Sequence, residues 1–131
     1  MSKREVNLEL STLVNSRPAL EKILGATLPT ALTFRVSFVS DEIDGPLRRF
    51  DERRDALAKE HGTASPDGTS FTLEGEGREK FLEEMEALGK EPLTLNVPVL
   101  KIADLGDREI LMPAEARTVR WLFTDAAAPE A

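Results

Sequence analysis

The chain has 131 residues, a formal net charge of -7 and no cysteine. A domain of this length can bury roughly two thirds of its unfolded surface without a disulfide or a metal. The lack of cysteine excludes disulfides, thiol catalysis and thiolate metal sites, and the negative charge disfavours non-specific binding to nucleic acid or anionic lipid. We therefore predict one domain over residues 1–131, with an ordered core at about 6–123 and a flexible tail at 124–131.

The first part of the chain predicts a short strand followed by a helix. Residues 1–5 form a charged lead that we expect to fray. Residues 6–10 alternate apolar and polar side chains, which is typical of a strand. A helix capped by Ser11 or Ser16 then runs to about Leu24.

The segment from Leu28 to Gly62 is the longest predicted element, and we expect the other elements to pack on it. Its apolar residues recur at steps of three, four or seven, which predicts one stripe along an α-helix. The stripe consists of Leu32, Val36, Val39, Ile43, Leu47, Phe50 and Leu57. Pro29 suits the first turn of this helix, and Gly62 suits the left-handed residue just past its end.

Two features leave the first half of this segment open to a second interpretation. Residues 32–38 alternate strictly and are rich in residues that favour strands. Pro46, preceded by Gly45, removes a backbone donor inside the helix, which costs about 3 kcal/mol or more unless a kink absorbs it. We favour a kinked helix. The alternative is a strand over Ala31–Val39, a turn, and a helix that starts at Pro46.

The remaining elements complete a mainly helical protein with a small sheet. Residues 63–74 predict a hairpin or an ordered loop, and Glu76–Leu88 predicts a helix. A strand over Leu93–Ile102 is expected to pair with the strand at residues 6–10, and Pro113 starts a last helix. The predicted fold class is α+β, predominantly helical, with a long central helix, two to three shorter helices and a small antiparallel sheet or hairpin.

The densest cluster of basic residues lies on the second half of the central helix. It consists of Arg48, Arg49, Arg53 and Arg54. Acidic residues are interleaved with it, and three pairs of opposite charge stand three or four residues apart: Arg48 with Glu52, Asp51 with Arg54, and Asp55 with Lys59. The cluster is therefore either a salt-bridged exposed face or a face that binds phosphate or the carboxylates of a partner.

Trp121 is the only tryptophan, and two further bulky residues, Leu122 and Phe123, follow it directly. Three consecutive side chains cannot all point to one side of a helix. We therefore expect one of them to point outward or into a partner. Trp121 is either a core residue or an anchor of an interface.

No motif in the chain announces a catalytic or metal site. His61, the only histidine, lies in the last turn of the central helix, where a partly charged imidazole is favoured. Asp41, Glu42 and Asp44 could hold a hard cation, although they do not match the spacing of a calcium loop. Gly75-Glu76-Gly77 lacks the further residues of a phosphate loop. We expect no catalytic residue, no metal site and no cofactor.

Four stretches of the chain together resemble a family of short uncharacterised bacteriophage proteins. They are LPTALTFRVSFVSDEI, FDERRDALAKEHG, FLEEMEALGKEPLTLNVPVLKIADL and MPAEARTVRWLF. The resemblance covers about residues 20–123, and Gly45-Pro46 departs from the family's pattern. It implies a helix after Leu28-Pro29 and a viral origin, and it brings no catalytic residues and no ligand.

These observations lead to a first functional hypothesis and to two alternatives. We expect a non-enzymatic bacteriophage protein that binds protein, as an oligomeric component of the virion tail or of its assembly, with the long helix as interface. The first alternative is a host-takeover or anti-defence protein that inhibits a host enzyme or sequesters a nucleotide signal with Arg48 and Arg49. The second is a metal-dependent enzyme that uses Asp41, Glu42 and Asp44.

The expected location follows from the same features. The start of the chain lacks the apolar core of a signal peptide, and no apolar run approaches the ~20 residues that span a bilayer. We therefore expect a soluble protein in the cytoplasm of the host bacterium, or one incorporated in the virion. Nucleic acid and membrane are not expected partners. The expected partners are a protein of the phage or of the host and further copies of the chain, and a nucleotide ligand belongs to the first alternative.

Overall fold

One helix of 32 residues runs through the middle of the protein, and the other elements pack around it. The computed structural model describes residues 3–106 and 110–125. In chain order the elements are β1 (Lys3–Glu9), α1 (Leu10–Asn15), α2 (Arg17–Leu24), α3 (Thr30–His61), β2 (Thr63–Ala64), β3 (Phe71–Thr72), α4 (Gly75–Gly89), β4 (Pro92–Pro98), a 3-10 helix (Ile102–Leu105), α5 (Pro113–Thr118) and a 3-10 helix (Arg120–Leu122). The predicted mainly helical α+β fold is confirmed, with four shorter α-helices among the described residues instead of two to three.

The helix α3 continues through Gly45 and Pro46 without a break in its secondary structure. The strand that the alternation over Ala31–Val39 suggested is therefore absent, because the helical stripe over the whole segment outweighs a local alternating pattern. The ends differ from the prediction. Pro29 lies just before the first helical residue, and Gly62 is extended (φ -101°, ψ 171°), not left-handed, because the chain passes directly into β2.

The apolar stripe of α3 forms part of the hydrophobic core. Its residues Leu32, Val36, Val39, Ile43, Phe50 and Leu57 are only 1–7% exposed, and Leu47 is partly buried against the core. The elements β4, α1 and α2 of the same chain contact α3. The expectation that this stripe offers an interface is therefore wrong, since the chain covers it with its own segments.

The strands β1 and β4 pair antiparallel, with Lys3 opposite Pro98 and Glu9 opposite Pro92. The first strand starts earlier than predicted, so its charged residues 3–5 are paired, and Leu10 already belongs to α1. The strand β4 ends at Pro98, opposite Lys3, and does not reach Ile102, which belongs to a 3-10 helix. The buried face of the sheet carries alternate apolar side chains of both strands: Val6, Leu95 and Val97.

The predicted helix up to Leu24 is divided into α1 and α2 at Ser16. Pro18 has no backbone N–H and therefore cannot donate to the carbonyl of Val14, one turn earlier. Ser16 is completely buried. Its hydroxyl oxygen lies 2.6 Å from the carbonyl oxygens of both Thr12 and Thr118, and its single hydrogen can be donated to only one of them at a time.

The C-terminal segment is held against α2 and β1 by polar contacts. The indole N–H of Trp121 donates to the Ser16 hydroxyl at 2.8 Å, and Arg4 Nη2 donates to the Trp121 carbonyl at 2.7 Å. Asp125 accepts hydrogen bonds from the backbone N–H groups of Ile102 and Ala103 at 2.6 and 3.3 Å. Asp125, which the sequence placed in the tail, thus contacts the 3-10 helix at Ile102–Leu105, and the rest of the predicted tail, residues 126–131, lies outside the described residues.

The region between α3 and α4 is a short hairpin formed by β2 and β3, as one of the two predicted possibilities stated. The following helix, α4, packs against the second half of α3 and the start of α1.

Within residues 3–106 and 110–125, no helix has both the length and the apolar character required to cross a bilayer.

Candidate functional site

The four clustered arginines lie on three different sides of α3. Arg49 and Arg53 stand one turn apart and line the same groove. Arg48 lines a separate concavity beside α2, and Arg54 lies within 3.5 Å of the Asp51 carboxylate and 3.4 Å of the Asp55 carboxylate. The cluster seen in the sequence is therefore not one surface, and only two of its members face the same space.

The groove of Arg49 and Arg53 has a volume of about 340 Å³. Its walls come from α3, from the start of α1, and from the end of α4 with the first residues of β4. The remaining lining residues are Leu10, Pro46, Phe50, Leu88, Glu91, Pro92 and Leu93. A backbone hydrogen bond of 2.9 Å from Leu10 N–H to the Glu91 carbonyl joins the two walls opposite α3. The result is an apolar floor below two guanidinium groups.

Gly45 lies close to one of these guanidinium groups. A Cβ atom built on Gly45 would lie 3.4 Å from Arg49 Nη1, at the limit of ordinary van der Waals contact. That atom is the end of a flexible side chain and can move aside, so the position of Arg49 does not require glycine at position 45. Pro46 contributes to the groove wall.

Arg48, Arg49 and Arg53 are exposed, and none of the ion pairs within 4.0 Å in the described part of the chain includes them. The predicted pairs Arg48 with Glu52 and Asp55 with Lys59 are not formed, whereas Asp51 with Arg54 is confirmed at 3.5 Å. Glu91 is the one acidic residue in the groove lining. The groove thus keeps an excess of positive charge in a chain whose net charge is -7.

The concavity that Arg48 lines is already neutralised by the chain itself. Asp51 binds Arg17 of α2 through two nearly parallel hydrogen bonds of 3.1 and 3.2 Å. This pair was missed in the sequence, because its members are 34 residues apart and no local spacing connects them. Asp44 and Glu21 also line the concavity, so Arg48 shares it with three acidic residues, whereas Glu91 is the one acidic residue beside Arg49 and Arg53.

Trp121 lies partly buried against the hydrophobic core, with Leu122 and Phe123 beside it at 1% and 7% exposure. None of the three points freely outward. The expectation that one must do so assumed a continuous helix. The helix α5 ends at Thr118, and Phe123 is extended after a 3-10 helix, so the three side chains can all reach the core. Trp121 is not among the residues that line the groove of Arg49 and Arg53.

The acidic residues Asp41, Glu42 and Asp44 do not converge. Glu42 Oε1 accepts the backbone N–H of Asn96 at 2.9 Å and so satisfies a donor of β4, while Asp44 lines the concavity of Arg48. No group of three metal-binding side chains in the described residues contains any of the three. Within the described residues, these three acids therefore do not form the metal site that the alternative of a metal-dependent enzyme predicts.

His61 meets two carboxylates that the sequence did not connect with it. Its Nε2 lies 2.7 Å from Glu84 Oε2 on α4, and Glu60 offers a third ligand atom. A Cβ atom on Gly77 would collide with the His61 carbonyl, so the glycine in the first turn of α4 permits close contact with the last turn of α3. Gly77 thus serves packing, whereas Gly75 has no close neighbour and adopts a positive φ of 57° where α4 begins.

The exposed side of α4 carries acidic residues around a large apolar one. Leu82 is 53% exposed, and Glu79 and Glu83, three residues before it and one after, are exposed as well. Leu88, which lines the arginine groove, lies six residues along the helix, about 240° around its axis from Leu82. The acidic face and the groove are therefore different surfaces of the protein.

The chain was compared with protein-family models, with curated proteins and with solved structures, and nothing matched in any of the three comparisons.

Proposed function

We propose that this is a non-enzymatic bacteriophage protein that assembles with further copies of itself, as a component of the virion tail or of its assembly in the host cytoplasm. The observation that carries the binding part of the proposal is the groove in which Arg49 and Arg53 stand without an ion-pair partner, among the described residues, above an apolar floor. The phage part rests on the resemblance of the four sequence stretches.

The chemistry of the groove selects an acidic segment that also presents an apolar side chain. Guanidinium groups bind carboxylates through paired hydrogen bonds, and the floor of leucine and phenylalanine side chains favours an apolar group between them. Full burial of one leucine side chain is worth about 1.5–3 kcal/mol. The groove is thus suited to a leucine flanked by carboxylates.

The face formed by Glu79, Leu82 and Glu83 has this composition. A second copy of the chain can place Leu82 on the floor of the groove and its two carboxylates beside Arg49 and Arg53. Because the groove and the acidic face are different surfaces, the contact is heterologous: each copy has one free groove and one free face. Such contacts generate closed rings or open filaments, which are the assemblies that a tail component forms.

Sedimentation velocity over a range of protein concentrations tests the proposal. We expect the unmodified chain to associate with increasing concentration and the double variant Arg49→Glu with Arg53→Glu to remain monomeric. The control is Arg48→Glu, which reverses the charge of one exposed arginine outside the groove, as each substitution of the double variant does inside it, and should associate like the unmodified chain. A monomer at every concentration, or equal loss in the control, would contradict the proposal.

The nucleotide-sequestering alternative has weaker support from the arginines than the sequence suggested. Arg48 and Arg49, the two residues expected to line a shared pocket, line different concavities. A thermal shift with nucleotides that disappears in the double variant would favour this alternative instead. The genes beside that of the protein test the phage assignment: tail genes support assembly, and early genes support host takeover.

A further inference from the structure

We propose that Glu60, His61 and Glu84 form a binding site for a divalent transition-metal ion, with Zn²⁺ as the best-suited ion. The site lies where the last turn of α3 meets the middle of α4, apart from the arginine groove. Each of the three residues offers one ligand atom, and these atoms all lie within 4.8 Å of one another. No other such group of three occurs in residues 3–106 and 110–125.

The donor set decides the class of ion. The cluster supplies three protein ligands, the number found in open zinc sites, and its imidazole nitrogen and carboxylate oxygens are ligand atoms that Zn²⁺ accepts. Mg²⁺ and Ca²⁺ prefer ligands that are all oxygen, and soft ions such as Cu⁺ prefer sulfur. An imidazole among carboxylates therefore selects ions such as Zn²⁺, and it leaves at least one coordination position for water or for a donor of a partner.

The backbone holds the central ligand in place. The imidazole is mostly buried, with 13% of the His61 side chain exposed, and its Nε2 already points at Glu84 Oε2 at 2.7 Å. The contact of Gly77 with the His61 carbonyl fixes the distance between the two helices, since no side chain separates their backbones there. The histidine and its helix are thus arranged before an ion binds, and less ordering is required on binding.

The two carboxylates can complete the geometry with small movements. Ligands at about 2.0–2.2 Å from a tetrahedral zinc ion lie roughly 3.3–3.6 Å from one another. The largest separation in the cluster is at most 4.8 Å, and both glutamates are exposed, with 47% of the Glu84 side chain accessible. His61 Nε2 and Glu84 Oε2, now 2.7 Å apart, must separate to the ligand spacing around zinc, which breaks their hydrogen bond, and the Glu60 side chain must rotate toward them. A bound ion would then cross-link α3 to α4.

Isothermal titration with ZnCl₂ alone tests the site on the full chain. We expect one zinc ion per chain. Loss of a residue that only contacts a metal ligand lowers metal affinity by about 10–100-fold, and loss of a ligand itself should cost at least as much. We therefore expect Glu84→Gln to bind zinc at least about tenfold more weakly. The matched control is Glu86→Gln, an exposed glutamate on the same helix with the same change of charge. It should bind zinc like the unmodified chain.

A second measurement keeps the test independent of folding defects. The imidazole resonances of His61, the only histidine, should shift with added ZnCl₂ in the unmodified chain and in Glu86→Gln, and should shift far less in Glu84→Gln and Glu60→Gln. Circular dichroism establishes that the variants keep their helices. Absence of saturable zinc binding would overturn the proposal, as would equal affinity in Glu84→Gln and Glu86→Gln, or tighter binding of Mg²⁺ than of Zn²⁺.

Discussion

Replacing Ile43 by alanine separates a core role of the α3 stripe from a role as an exposed docking face. Ile43 is 2% exposed. Loss of three buried carbon groups at ~0.8 kcal/mol each removes about 2.4 kcal/mol. A residual cavity of ~40 Å³ adds about 1 kcal/mol, and the better helix propensity of alanine returns roughly 0.4 kcal/mol. The free energy of unfolding should therefore fall by about 3 kcal/mol.

Urea denaturation measures this loss as a lower midpoint at unchanged slope. At about 2.1 cal/mol/K of unfolding entropy per residue, the 131-residue chain should lose about 11 °C in Tm. The control is Phe34→Ala on the same helix, where the side chain is 63% exposed and the change should stay within about 0.5 kcal/mol. A loss below about 1 kcal/mol for Ile43→Ala, or similar losses for both variants, would refute the reasoning.

Two further predictions concern the C-terminal segment. Ser16→Ala leaves the Trp121 indole N–H without its buried acceptor and should lower the free energy of unfolding by about 1–3 kcal/mol. Urea denaturation measures this loss, and the Trp121 fluorescence should shift to the red. An unchanged denaturation midpoint would contradict the contact. Hydrogen bonds from Lys22 and from the Met112 N–H hold the pKa of Glu115 below its ordinary value of 4.5. The stabilisation by Glu115 is therefore complete above this value and is lost as the pH falls through the lower folded pKa. Stability measured from pH 6 to pH 2 should fall less steeply in Glu115→Gln, and parallel curves would contradict the prediction.

The periodicity of the chain predicted the helices because it records which side chains are buried along one element. It correctly joined Leu32 to Leu57 on one stripe. It could not show what covers that stripe, since the covering residues, such as Leu13 and Val97, are distant in sequence. For this reason the sequence pattern predicts an interface where the structure has core. The groove of Arg49 and Arg53 is visible only with the neighbouring elements in place.

The side-chain contacts at the ends of α1 and α3 also join residues that are far apart in the sequence. Ser16 was recognised as a possible cap, but its contact with Trp121 joins residues 105 positions apart. His61 was recognised as the only histidine, but Glu84 comes from the facing turn of another helix, 23 residues later. No spacing rule connects such pairs. For the pair of His61 and Glu84, the sequence carries one related feature, Gly77 in the first turn of α4, which permits close approach to the His61 carbonyl.

Mixing two variants of opposite charge tests the proposed contact between copies most directly. The first variant carries Arg49→Glu with Arg53→Glu, and the second carries Glu79→Arg with Glu83→Arg. Alone, each variant opposes like charges across the contact and should sediment as a monomer. Mixed, the acidic groove of one meets the basic face of the other, and our account predicts that the mixture sediments as an oligomer. A mixture that remains monomeric, while the unmodified chain associates, would contradict the account.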